Sequence, residues 1–129
     1  MTGLFLGVII AVVAVDLMTK FTVPGILNSG VAWGLGAEVE WLWIAVVVLS
    51  AVVVVGLVVW YTRTPRRHAW WFTVGLALFI GGVIGNMIDR MLTGGAVHDF
   101  IDFIIFKNNL ADIAITVGAV MVGGHLAFR

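Results

Sequence analysis

Asp99 and Asp112 stand at the margin of a strongly apolar chain, where carboxylates have little reason to be. Placing one in a bilayer costs about 2.5–3.5 kcal/mol on insertion scales, so such residues are functional by default. All seven acidic residues (Asp16, Glu38, Glu40, Asp89, Asp99, Asp102 and Asp112) fall at or between the same ends of the apolar segments. Two neighbouring carboxylates cannot both ionise easily, so one keeps a proton while the other acts as base on a water. The apparent pKa values then belong to the pair. Twelve residues lie between Asp99 and Asp112, and this chemistry requires that stretch to fold back. Other hydrolytic chemistries find no support. The chain has no cysteine, which removes thiol nucleophiles, disulfides and cysteine metal sites. It has no H-E-x-x-H motif for a zinc protease. Ser29 and Ser50 are its only serines, and neither has a plausible histidine partner. Phosphate-binding glycine loops and basic nucleic-acid patches are absent too.

The elements that must position these carboxylates are membrane helices. Of 129 residues, 62% are hydrophobic and 11% charged. Four apolar stretches, roughly 3–21, 41–61, 69–90 and 110–128, approach or exceed the ~20 residues needed to cross a hydrocarbon core of ~30 Å. Stretches this continuous imply helices, because backbone groups in lipid must be satisfied internally. The expected fold is an all-α membrane protein of four transmembrane helices with short extracytoplasmic loops or extended segments, one domain over residues 1–129. The first segment lacks the basic start and small-residue exit of a signal peptide and carries Asp16 and Lys20, so it reads as a retained helix. Arg63, Arg66, Arg67 and His68 mark the 62–68 loop as cytoplasmic, and Arg129 lies on the same side. Both termini are then cytoplasmic, and the carboxylates face the opposite boundary.

Further polar residues gather at that boundary. Asp16 and Lys20 are spaced i,i+4 and can pair, which would also suit a salt bridge marking where the first helix leaves the bilayer. Asn28 and Gly34 lie in an outer loop, 22–40, where Trp33 and Trp41 suit an interfacial belt. Turn chemistry alone would also favour an asparagine at 28. The second helix, with Ser50 as its only serine and no charge, reads as scaffold. In the third, Gly81 and Gly85 form a small-xxx-small pattern that admits a neighbouring helix. They run into Asn86, Asp89 and Arg90, which share one face. Residues 93–108 partly alternate apolar and polar, as an extended piece would. Asn109 opens the last helix as a natural N-cap, with Asp112 at the positive end of that helix. Capping alone would also account for this pair. His125, near the other end, reads as a packing or interfacial residue.

Together these blocks resemble the lipoprotein signal peptidase (signal peptidase II) family of membrane aspartic proteases. The matching stretches are Asp16-Leu-Met-Thr-Lys20, Asn28-Ser-Gly-Val-Ala-Trp-Gly34, Gly81-Gly-Val-Ile-Gly-Asn86-Met-Ile-Asp-Arg90, Val97-His-Asp99-Phe-Ile-Asp102-Phe and Asn109-Leu-Ala-Asp112. They follow the family's order over nearly the whole chain. The resemblance implies that Asp99 and Asp112 are the catalytic pair. Asn86, Arg90, Asn109 and Ala111 would hold the site and the substrate backbone, with Asp16, Lys20, Asn28, Gly34 and Asp89 completing the polar pocket. Asp102 is expected to play a supporting part and Asp89 to pair with Arg90. The implied substrate is a prolipoprotein with a diacylglyceryl cysteine, cut on the amino side of that cysteine. The partners are then membrane lipids and globomycin-type inhibitors, not nucleic acid, and neither metal nor cofactor is implied. The implied location is the bacterial cytoplasmic membrane. The 22–40 loop is short for the family, and Trp33 stands where Phe is common. The rival class is a small four-helix proton- or cation-coupled transporter, whose key carboxylate should lie near the midplane. A scaffold without catalysis is a third reading, and it leaves both aspartates unexplained.

Overall fold

A computed structural model describes residues 1–29, 36, 38–63, 69–103 and 106–128. Four helices carry the fold: α1 (Thr2–Thr22), α2 (Leu42–Arg63), α3 (Trp70–Thr93) and α4 (Leu110–Ala127). Each is long and apolar enough to cross a membrane, and their bounds lie within three residues of those expected from hydropathy. Large apolar side chains such as Ile10, Val52 and Val120 are exposed along them. Apolar surface this extensive is tolerable only where lipid covers it. Gly34, Trp33, Arg66, Arg67, His68 and Arg129 lie outside the described residues.

Helix α3 is the centre of the bundle, packed along α4 and α1, while α2 rests mainly on α3. Lipid tails are as apolar as Leu or Val, so helices associate through close approach rather than through hydrophobicity. Glycines on α3 permit that approach on two sides. A Cβ at Gly81 would lie 2.9 Å from that of Val12, and one at Gly85 would lie 2.5 Å from Asp16 Oδ2, both on α1. On the other side, a Cβ at Gly82 would lie 2.5 Å from the Ala111 carbonyl oxygen of α4. The expected small-xxx-small pair is therefore the α1 contact, and Gly82 adds a second seam.

The two ends of the bundle differ in character. One is apolar and aromatic, with Phe5, Tyr61, Phe72, Leu76, Ala77 and Ile80 forming the core. Phe5 stacks on Tyr61 at 4.2 Å between centroids, and the Tyr61 hydroxyl lies 3.2 Å from Thr73 Oγ1. The His125 ring packs against Trp71 and Phe72, in keeping with its expected packing role. The other end carries short strands. β1 (Ile26–Asn28) pairs antiparallel with β2 (Val97–Asp99), matching Ile26 with Asp99, Leu27 with His98 and Asn28 with Val97. β3 (Ile101–Phe103) and β4 (Phe106–Asn108) form a second antiparallel pair, with Ile101 opposite Asn108. The extended reading of 93–108 holds for Val97–Asp99, Ile101–Phe103 and Phe106–Asn108, which enter two separate ladders, while Thr93 still belongs to α3. The second ladder is what folds the chain back from Asp99 to the start of α4.

Candidate active site

The site is built outward from Asn109. This residue is the N-cap of α4: its side chain accepts the Asp112 N–H at 3.0 Å, and its own N–H donates to Asp112 Oδ2 at 3.2 Å. That reciprocal box satisfies two backbone donors that a helix start would leave orphaned. The remaining arm of the same side chain, Nδ2, donates to Asp99 Oδ1 at 2.9 Å. One asparagine therefore touches both carboxylates. The capping reading of Asn109 and Asp112 is borne out, and the bond to Asp99 uses the arm of the same side chain that the cap leaves free.

Each aspartate has a second amide. Asn28 Nδ2 donates to Asp99 Oδ2 at 3.1 Å across the β1–β2 ladder, and Asn86 Nδ2 donates to Asp112 Oδ1 at 2.9 Å from α3. Asp99 is buried and Asp112 half-buried. Burial pushes the Asp99 carboxyl above its ordinary value, and the charge of Asp112 adds to the rise. The Asn28 and Asn109 amides and the Lys20 ammonium oppose it.

Behind the pair lies a buried charged layer. Lys20 is 2% exposed, and its ammonium lies 2.6 Å from Asp16 Oδ2, 2.9 Å from Asn86 Oδ1 and 3.7 Å from Asp89 Oδ2. Lys20 thereby fixes the orientation of the Asn86 amide, presenting its NH₂ to Asp112. Asp16 Oδ1 accepts the Ala111 N–H at 2.7 Å, tying α1 to the first turn of α4. A salt bridge at the membrane edge would be wet; this one is fully buried and belongs to the site. Arg90, half-buried, is acted on by the charges of Asp112, Asp89 and Asp99.

Asp89, whose charge acts on Arg90, has a further partner in His98: its Oδ2 accepts the His98 N–H at 2.7 Å and its Oδ1 lies 2.8 Å from His98 Nδ1. Asp102 is exposed on the β3–β4 ladder, opposite Lys107 in register. Gly34 lies outside the described residues. Of the remaining expected residues, Asp16, Lys20, Asn28, Asn86, Asp99, Asn109, Ala111 and Asp112 form one connected network. Sequence reasoning gave no role to His98 or Gly82 and read Gly25, with Pro24, only as a breaker of the outer loop. A Cβ at Gly25 would lie 2.5 Å from the Asp99 carbonyl oxygen, so the Pro24-Gly25 turn permits β1 to approach β2. The Pro-Gly pair marked a turn but not what approaches it.

Fold and site define a multi-pass membrane protein with a polar centre at one end, organised around two carboxylates. The chain matches the family model described as signal peptidase (SPase) II over residues 8–128. It belongs to the signal peptidase II family, whose members remove signal peptides from prolipoproteins. A lipoprotein signal peptidase of Lactobacillus gasseri is 39% identical over 116 residues, 82% of this chain and 71% of that protein. One of Symbiobacterium thermophilum is 34% identical over 147 aligned positions, covering 94% of this chain and 93% of its relative. A bacterial membrane enzyme solved by the in meso method at 2.3 Å is 25% identical and superposes with a TM-score of 0.82, over 98% of this chain and 88% of that one. A second, at 1.9 Å, gives a TM-score of 0.76 at 25% identity. The transporter alternative finds no support in these relatives.

Proposed function

We propose that this chain is an aspartic endopeptidase in which Asp99 and Asp112 share one proton. The observation that carries this reading is Asn109, whose side chain and N–H bond both carboxylates across the twelve residues that separate them. In the singly protonated pair, the ionised carboxylate takes a proton from a water while that water attacks the scissile carbonyl. The protonated partner donates to the carbonyl oxygen as the tetrahedral intermediate forms. Collapse then breaks the C–N bond, and the proton taken from water passes to the departing amine. Asn28, Asn86 and Asn109 hold the carboxylates in place; Lys20, Asp16 and Ala111 hold those amides and the α4 start. Arg90 supplies positive charge beside the pair. By the family resemblance Gly34 is assigned a substrate-binding or supporting part.

The substrate in this reading is a prolipoprotein with a diacylglyceryl cysteine, cut on the amino side of that cysteine. An acylated peptide with an apolar signal helix enters sideways from lipid, and a site at the bundle end keeps access to water. Globomycin-type peptides would inhibit by occupying the same pocket. The chain acts as one four-helix unit over residues 1–129, in the bacterial cytoplasmic membrane. Basic residues at and after Arg63 put the termini in the cytoplasm and the carboxylate end outside.

Purified protein in detergent or lipid should cleave a diacylglyceryl-modified prolipoprotein peptide before the lipidated cysteine. Folded Asp99→Asn and Asp112→Asn variants should each lose about 10²–10⁴-fold in rate, the usual worth of positioned acid–base groups. Undiminished cleavage by either variant would remove that residue from catalysis. Failure of the folded parent to cleave would overturn the reading of activity.

A further inference from the structure

Asp89 and His98 are a titratable pair that the proposed chemistry leaves unused. Asp89 is fully buried on α3, and both its oxygens meet His98, which is half-buried: Oδ2 accepts the His98 backbone N–H and Oδ1 lies against the His98 ring, with Lys20 at 3.7 Å from Oδ2 on the other side. Against an ionised carboxylate, which only accepts, the ring donates from Nδ1. The backbone bond would form with any residue but proline; the ring bond needs a donor side chain at 98. The opposite flank of the ring meets Phe21 of α1 edge-on, with centroids 5.0 Å apart. His98 is thus held from α3 and α1, and lies opposite Leu27 of β1 in the ladder. The next residue along β2 is Asp99.

Asn86, one helical turn before Asp89, donates to Asp112. Lys20 reaches both, at 2.9 Å from Asn86 Oδ1 and 3.7 Å from Asp89 Oδ2. One turn of α3 is therefore connected to each carboxylate by a separate route: directly to Asp112, and to Asp99 through strand β2.

We propose that Asp89 and His98 form a two-point clamp that positions Asp99, so that a single turn of α3 sets the spacing of the catalytic pair. His98 is a positioning residue in this scheme and takes no proton from substrate or water. The clamp rests on the aspartic-dyad reading for its purpose but not for its geometry. The charged and titratable groups facing it are Asp89 and Lys20, with Asp16 behind Lys20, Arg90 within reach of the charges of Asp89 and Asp99, and Asp99 adjacent on its own strand.

The test uses two substitutions. His98→Phe keeps an aromatic ring against Phe21 and removes the donor; His98→Asn places an amide N–H near the position of Nδ1. Carboxyl resonances of ¹³C-aspartate protein in micelles, assigned with Asp99→Asn, report the Asp99 titration midpoint without any substrate. In His98→Phe the strand loosens, water reaches Asp99 and its midpoint falls toward the ordinary carboxylate value. In His98→Asn it returns toward that of the parent. In the cleavage assay, kcat of His98→Phe falls on the order of a hundredfold, the cost of misplacing a catalytic group by about 1 Å. KM stays within about twofold of the parent, and His98→Asn recovers most of kcat. An Asp99 midpoint unchanged in His98→Phe overturns the clamp, whether or not the parent cleaves. So does a rate loss that merely tracks lost folded protein while the midpoint stays in place. A moved midpoint in a parent that cleaves nothing would support the clamp while removing the peptidase reading.

Discussion

At the scale of single residues, the carboxylate pair makes a prediction about pH. In the proposed mechanism the reactive state holds one proton between Asp99 and Asp112, and burial raises the affinity of Asp99 for it. Activity should therefore persist above the ordinary carboxylate range and collapse as pH rises through the raised Asp99 value, where the last proton leaves. The same group shapes stability. Between the ordinary and the raised value the native state binds more protons than the unfolded one, so stability is full below the ordinary value and declines as pH climbs. A kcat/KM profile and thermal unfolding at several pH values check both; Asp99→Asn should remove its share of the unfolding slope, and an identical slope in that variant would contradict the assignment. Most of these residues were legible in the sequence because polar groups in lipid need a reason to be there. Their partners were not. Adjacency suggested Asp89 with Arg90 but said nothing of His98, which meets both oxygens of Asp89. Nor does spacing reveal that Asn109 uses its side chain twice, once to cap and once to bridge.

At the scale of elements, α3 and its two glycine seams fix where α1 and α4 begin their polar ends. Gly82→Ala would force a Cβ against the Ala111 carbonyl oxygen at the start of α4. Overpacking of this kind costs about 1–3 kcal/mol, and here the strain falls beside Asp112. The variant should unfold at lower temperature and lose kcat as well. Gly56→Ala on α2, where an added Cβ meets nothing within 4 Å, should leave both unchanged or gain slightly from helix propensity. Equal behaviour of the two variants in thermal unfolding and cleavage would show that the α3–α4 seam does not govern the site. Hydropathy alone located all four helices, since a span must be long and apolar whatever it packs on. The ladders were harder. Alternation marked 93–108 as extended, but strands of three residues take their partners from tertiary contacts. Hence β2 pairs back to β1 while β3 pairs forward to β4.

For the molecule as a whole, the apolar-aromatic end and the charged end give the bundle a direction. The absence of cysteine makes that direction measurable with single introduced thiols. Leu27→Cys, exposed on β1, should react with a membrane-impermeant maleimide on intact cells, while Thr62→Cys, exposed at the far end of α2, should react only after permeabilisation. The reverse pattern would invert the proposed topology. The Asp16–Lys20 pair has a bearing on how this polarity arises in synthesis. The chain is made from its N-terminus, so α1 meets the lipid before Asn86, Asp89 or Ala111 has been translated. An ammonium and a carboxylate separated by four residues can neutralise each other within that helix alone, at 2.6 Å in the finished protein. The chain thus carries its buried lysine into the bilayer already escorted by its own counter-ion, and the later helices assemble around a charge pair that is already in place.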